Sequence, residues 1–129
     1  MRRRLTALLL GLTLFGAGGP DLAHAVACTN DSTGNWNATD TWGVDGIGCV
    51  GAASGGIPGI GDTVTLAAST TVTVNVNTTV GTSPAAGNAV ITQTGALTIA
   101  SGVTLNVRGD HNLNNGATLT WTGTAAYVF

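Results

Sequence analysis

From Thr63 onward, polar and apolar residues alternate. Thr63-Val64-Thr65-Leu66 begins the pattern and Thr71–Val76 repeats it over six residues. Leu97-Thr98-Ile99, Leu105-Asn106-Val107 and Leu119-Thr120-Trp121 continue it. Successive side chains of a β-strand point to opposite faces. Period two therefore predicts strands with Val, Leu, Ile and Trp facing a core and Thr or Asn facing solvent. Leu97, Ile99, Leu105 and Val107 belong inside on this reading, and so does Trp121, two residues after Leu119. Thr124–Phe129 is a further strand-like run, carrying Tyr127 and Phe129. No segment after Ser54 has the 3.6-residue period of an amphipathic helix.

Glycine punctuates these runs. Gly95, Gly102, Gly109, Gly116 and Gly123 stand seven residues apart. A coiled coil with this spacing would need apolar, helix-forming residues at its seam. The Thr-rich surroundings instead mark short strands joined by tight turns. Gly102–Val107 matches Gly116–Trp121 at an offset of 14, an internal repeat of strand-plus-turn units. Two all-β architectures use such units: an antiparallel β-sandwich or barrel built of hairpins, and a parallel β-helix built of stacked coils. Asn115-Gly116 suits a hairpin. Ala100-Ser101-Gly102 and Thr92-Gln93-Thr94-Gly95 look like corners that bend the chain without reversing it. The expectation is a short parallel β-helix of three to four coils over residues 63–129, with the antiparallel β-sandwich as the alternative.

Residues 26–62 differ. They hold Trp36, Trp42, Cys28, Cys49 and nine glycines, and read as a Gly/Trp-rich cap. Gly51–Gly56 has no periodic signal and is a loop. Ile57–Asp62 is turn chemistry, with Asp62 expected to hydrogen-bond its own backbone. Trp36 and Trp42 are expected to cover the open end of the first coil, because a solenoid needs a cap there. Stacking on sugar rings is their alternative use.

The first 25 residues read as an export signal. Arg2, Arg3 and Arg4 precede an apolar run from Leu5 to Phe15, and Ala23-His24-Ala25 is an A-x-A cleavage site. The run falls short of the roughly 20 apolar residues a membrane span needs. Cleavage after Ala25 leaves 129 − 25 = 104 residues. In an exported chain the cysteine pair Cys28 and Cys49 reads as a disulfide. The alternative is a lipoprotein, with Ala25-Val26-Ala27-Cys28 as a loose lipidation box and Cys28 as the anchor.

Charge narrows the partners. Only 8% of the chain is charged, as four arginines and six aspartates. After cleavage Arg108 is the one cation against five aspartates, a formal charge of 1 − 5 = −4. Nucleic-acid binding rests on Lys and Arg meeting phosphates, so it is not expected, and neither is a basic membrane-surface patch.

The stretches GDTVTLAASTTVTVNVNTTV and GALTIASGVTLNVRGDHNLNNGATLTW resemble the opening coils of bacterial secreted and surface right-handed β-helix proteins. These include the filamentous-adhesin and autotransporter-passenger groups. The chain also resembles the extracellular domain named for its eight glycines, and TGNWNATDTW followed by IPGIGDTV is similar to the Trp-rich lead-in to such coils. The resemblance covers residues 33–123. It implies a right-handed coil, adhesion or extracellular scaffolding, and carbohydrate or a host or cell-surface ligand as partner. It brings no catalytic residue. Such proteins usually run for many coils, so residues 63–129 look like a truncated set.

Sites for chemistry are few. Asp40 and Asp45 lie five apart in a loop, and Asp62 and Asp110 are remote, a poor match to the facing carboxyls of a glycosidase. His111 adjoins Asp110, but no Gly-x-Ser-x-Gly elbow is present. Arg108-Gly109-Asp110 is an integrin-type tripeptide in what reads as an exposed turn. No metal or cofactor is expected. Thr-x-Thr triplets at Thr63/Thr65, Thr71/Thr73, Thr92/Thr94, Thr118/Thr120 and Thr120/Thr122 suggest ice binding if they stack in register. Otherwise they are simply good polar strand residues. Asn30, Asn37 and Asn77 open N-glycosylation patterns. The reading is a secreted or surface β-helical structural or adhesion module without catalysis. Its rivals are the N-terminal fragment of a carbohydrate-active β-helix enzyme and a Thr-rich ice-binding protein. Self-association through the C-terminal coil is expected, since bare strand edges template pairing.

Overall fold

The computed structural model describes residues 26–43, 46–52, 54–81 and 89–128. The export signal expected over residues 1–25 lies outside the described residues. The strands are β1 (Ala27–Thr29), β2 (Gly34–Asn35), β3 (Thr63–Leu66), β4 (Thr71–Val74), β5 (Thr78–Val80), β6 (Ala89–Gln93), β7 (Ala96–Ile99), β8 (Thr104–Val107), β9 (Asp110–Leu113), β10 (Thr118–Trp121) and β11 (Ala126–Val128). A 3₁₀ turn spans Thr39–Thr41.

The strands form three sheets with the orders β1-β3-β6-β9, β2-β4-β7-β10 and β5-β8-β11. From β3 onward the chain visits the three sheets in rotation. Among the described residues all eight strand pairings are parallel. The chain is therefore all-β with parallel sheets, an arrangement compatible with a β-helix or related solenoid. The antiparallel sandwich is not formed, and the reason lies in the turns. Asn115-Gly116, the best hairpin signal, sits in a turn closed by the Ala117 N–H on the Asn114 carbonyl at 3.0 Å. That turn carries the chain from β9 in the first sheet to β10 in the second, instead of folding β10 back along β9.

Register explains the glycine spacing. Thr120 stacks on Thr98 and Ala126 on Thr104, each 22 residues apart. One circuit thus contains three strand-plus-turn units of about seven residues. The match at offset 14 relates β8 and β10, which lie in different sheets. Between the second and third circuits the step grows to 25 residues at Thr71–Ala96 and 27 at Thr78–Leu105, because extra residues enter between β5 and β6.

Inside, residues of like position pile up. Val72, Leu97 and Leu119 form one column, and Val74, Ile99 and Trp121 another. Leu97, Ile99, Leu105 and Val107 are buried, as their alternation requires. Trp121 shares the inward column yet is 59% exposed. Its burial would need a strand beyond β10, and among the described residues β10 ends its sheet. Alternation gives a side chain its direction, while stacking on both sides buries it.

The 26–62 segment supplies strands of its own. β1 pairs with β3, and β2 with β4, in register. The outer edge of β1 is partly covered by an antiparallel bridge between Asn30 and Trp42. The Gly43 N–H donates to Thr29 at 2.9 Å and the Asp31 N–H to Thr41 at 3.2 Å. Covering an edge in this way blocks adventitious pairing.

Candidate functional site

The head is tied together by a Cys28–Cys49 disulfide. Cys28 lies in β1 directly beneath Val64, so the bond fastens the loop around residue 49 to the first circuit. Its sulfur is committed, which removes the atom that a lipid thioether would need.

Trp36 and Trp42 are 1% and 0% exposed, with ring centroids 4.9 Å apart in an edge-on pair. The Trp36 indole N–H donates to the Pro58 carbonyl at 3.1 Å, and that of Trp42 to the Trp36 carbonyl at 2.7 Å. Neither ring presents a face to a sugar, so stacking by these residues is corrected. The indoles bury large apolar area while their N–H groups are satisfied by backbone, as an interior Trp requires.

The outward faces carry ordered polar columns. On the second sheet Asn35, Thr73, Thr98 and Thr120 share one register position, and Thr71, Ala96 and Thr118 share another two residues away. On the first sheet Thr29, Thr65, Thr92 and Asn112 align likewise. β-sheet geometry spaces members of a column by about 4.8 Å and neighbouring columns by roughly 6.6 Å. The triplets look irregular along the chain because the circuits differ in length; register brings them together.

The most developed polar cluster bridges the third circuit, β6–β8, and the fourth, β9–β11, where sequence reading places only a turn and a lone histidine. Gln93 is fully buried at the end of β6, in strand and not in the corner expected for it. Its amide NH₂ donates to the carbonyls of Gly95 at 2.9 Å and Thr118 at 2.6 Å. Its Oε1 is thereby left as acceptor for His111 Nε2 at 2.8 Å. Neutral His111 then carries its proton on Nε2, and Nδ1 accepts from the Tyr127 hydroxyl. Burial pushes the His111 pKa below its ordinary value and raises that of Tyr127 to about 12. Both shifts favour the uncharged forms that the chain of hydrogen bonds uses. The signal for this cluster is the period-two position of Gln93 after Ile91, which puts an amide in line with Leu66 and Leu113.

Other expected positions stay apart. Arg108 and Asp110 are exposed, and Asp110 opens β9. Asp45 lies outside the described residues, and Asp40 is an exposed residue of the 3₁₀ turn. Among the described residues no three His, Cys, Asp or Glu side chains group to hold a metal ion, and no helix is long and apolar enough to cross a membrane. Asn30 is buried, with its amide donating to Ser32 and Thr70 and accepting from Ala67, so its glycosylation pattern is structurally closed. Asn37 and Asn77 are exposed. Two open cavities of about 370 and 350 Å³ flank the head. The first is lined by Pro58, Ile60 and Thr79, the second by Val26, Ile47 and Val50.

No family model, curated protein or solved structure matches the chain.

Proposed function

We propose that this chain is an exported, non-catalytic structural or adhesion module, built as a right-handed parallel β-helix and displayed outside the cytoplasm. The right hand is that of nearly every crossover between parallel strands. The observation that supports the role best is the register of the outward columns. Thr73, Thr98 and Thr120, flanked by Thr71 and Thr118, repeat hydroxyls and methyls over successive circuits with no charge on strands β2, β4, β7 or β10. A rigid, uncharged, hydrogen-bonding face suits a carbohydrate or cell-surface ligand. The disulfide supports an oxidising compartment. The test is retention of the exported, disulfide-intact chain on immobilised polysaccharides, beside Thr98→Asp. Retention lost in the variant supports the reading, and no retention on any surface removes its adhesive half.

The same register favours a second reading, ice binding, because columns at fixed two-dimensional spacing order water along a face. Freezing-point hysteresis that vanishes in Thr98→Asp would select it; its absence at millimolar protein would dismiss it.

A further inference from the structure

We infer that Asp62 is the internal receptor for the α-ammonium group created when the leader is cleaved between Ala25 and Val26, so that processing completes an ion pair within the fold. The inference rests on the export reading above and assigns it a structural consequence.

Asp62 is 0% exposed. One carboxylate oxygen accepts the Gly59 N–H at 2.9 Å, closing the turn that leads into β3. This much agrees with a turn aspartate that bonds its own backbone. The other oxygen reaches 36 residues back along the chain, accepting from the Val26 nitrogen at 3.2 Å. That nitrogen is well placed by its surroundings. The Val26 carbonyl accepts the Thr63 N–H at 2.9 Å, and the next residue, Ala27, begins the β1–β3 ladder opposite Thr63. The Val26 side chain packs against the core cluster that contains Cys28 and Cys49.

Two independent observations meet at this atom. The sequence marks Ala23-His24-Ala25 as the cleavage site, so the first nitrogen of the processed chain is that of Val26. The structure puts that nitrogen within hydrogen-bond reach of a buried carboxylate. Cleavage by a leader peptidase adds one water across the Ala25–Val26 bond. Ala25 leaves with a new carboxylate, and the Val26 amine takes up a proton and becomes an ammonium. A neutral amide N–H facing Asp62 is replaced by a cation at the same place. The contact changes from a neutral donor on a carboxylate to a charge-assisted one, which is roughly twice as strong. A buried carboxylate is favourable when its partner is positioned by the rest of the fold, and here β1 and β3 do the positioning. Cleavage one residue earlier or later would move the ammonium by about 3.5 Å, away from the carboxylate.

The test compares the exported chain beginning at Val26 with the same chain retaining acetylated Ala25, each with Asp or Asn at position 62. Asp62→Asn is expected to raise the unfolding equilibrium constant at least tenfold more in the chain that begins at Val26. Equal effects in both backgrounds would overturn the ion pair. If the Asn variants do not fold, acylation of the Val26 amine at neutral pH gives a second measure on the unaltered sequence. Folded protein should react several-fold more slowly than the same chain unfolded in urea, and equal rates would overturn the pairing. Intact mass of the exported protein separates this idea from the reading beneath it. A first residue other than Val26 sinks the cleavage assignment and the native ion pair together. A chain that does begin at Val26 but shows no coupling to Asp62 sinks the ion pair alone.

Discussion

At the scale of single residues, direction and burial separate. Leu105 and Thr98 both sit mid-strand, one facing in and one out. Leu105→Asp buries a charge without a partner and should destabilise by more than about 3 kcal/mol, whereas Thr98→Asp should cost under about 1 kcal/mol. Equal shifts in urea midpoint would contradict the alternation. His111 adds a pH signature. Its folded pKa lies below the unfolded value, so its neutral form is the one the fold holds. Stability is full above pH 6.5, declines as pH falls below that value, and levels off once the folded pKa is passed. Urea midpoints at pH 5 and pH 8 should differ in the native chain, and His111→Phe should narrow the gap. Tyr127 works at the other end. Its folded pKa is raised to about 12, so the stability it contributes is complete below about pH 10 and drains away as pH climbs toward 12.

At the scale of elements, the turns and the cross-link decide what the strands can do. Gly102 and Gly95 belong to the same seven-residue series but are glycine for different reasons. Gly102 has φ of 77° with open space around it, so Gly102→Ala meets only the left-handed penalty, about 1 kcal/mol. At Gly95 a Cβ would collide with the Ala67 carbonyl oxygen, and Gly95→Ala must push backbone apart. Thermal unfolding should therefore rank Gly95→Ala well below Gly102→Ala. The Cys28–Cys49 bond closes a separation of 21 residues, for which loop-closure entropy predicts on the order of 3 kcal/mol. Loss of about that much in Cys49→Ala, followed by chemical denaturation, is the expected outcome.

At the scale of the molecule, no strand among the described residues covers the inward positions of the fourth circuit. Leu113 is 57% and Trp121 59% exposed, at the inward positions of β9 and β10 that stack on Gln93 and Ile99. We propose that a second copy covers this face. The mature chain should sediment as an oligomer at micromolar concentration, and Trp121→Ser together with Leu113→Ser should return it to the monomer. A native chain that stays monomeric would refute this.

Several strands were legible in the chain itself: β3, β4, β7, β8 and β10 follow from period two, which is a local property of side-chain direction. The turns followed from glycine, and the cysteine pairing from there being only two candidates. Short β2 and β5 left no such trace, because runs of two or three residues cannot establish a period. Which strands lie side by side was not local either. Thr98 meets Thr73 and Thr120 because the intervening segments differ in length by just enough to restore register. The burial of Trp36 and Trp42, the exposure of Trp121, the Gln93–His111–Tyr127 chain and the reach of Asp62 to Val26 all depend on neighbours 16 or more residues away, apart from the Trp36–Trp42 contact. Composition and alternation determine which way each side chain faces. Only the stacking of one circuit on the next decides what it finds there.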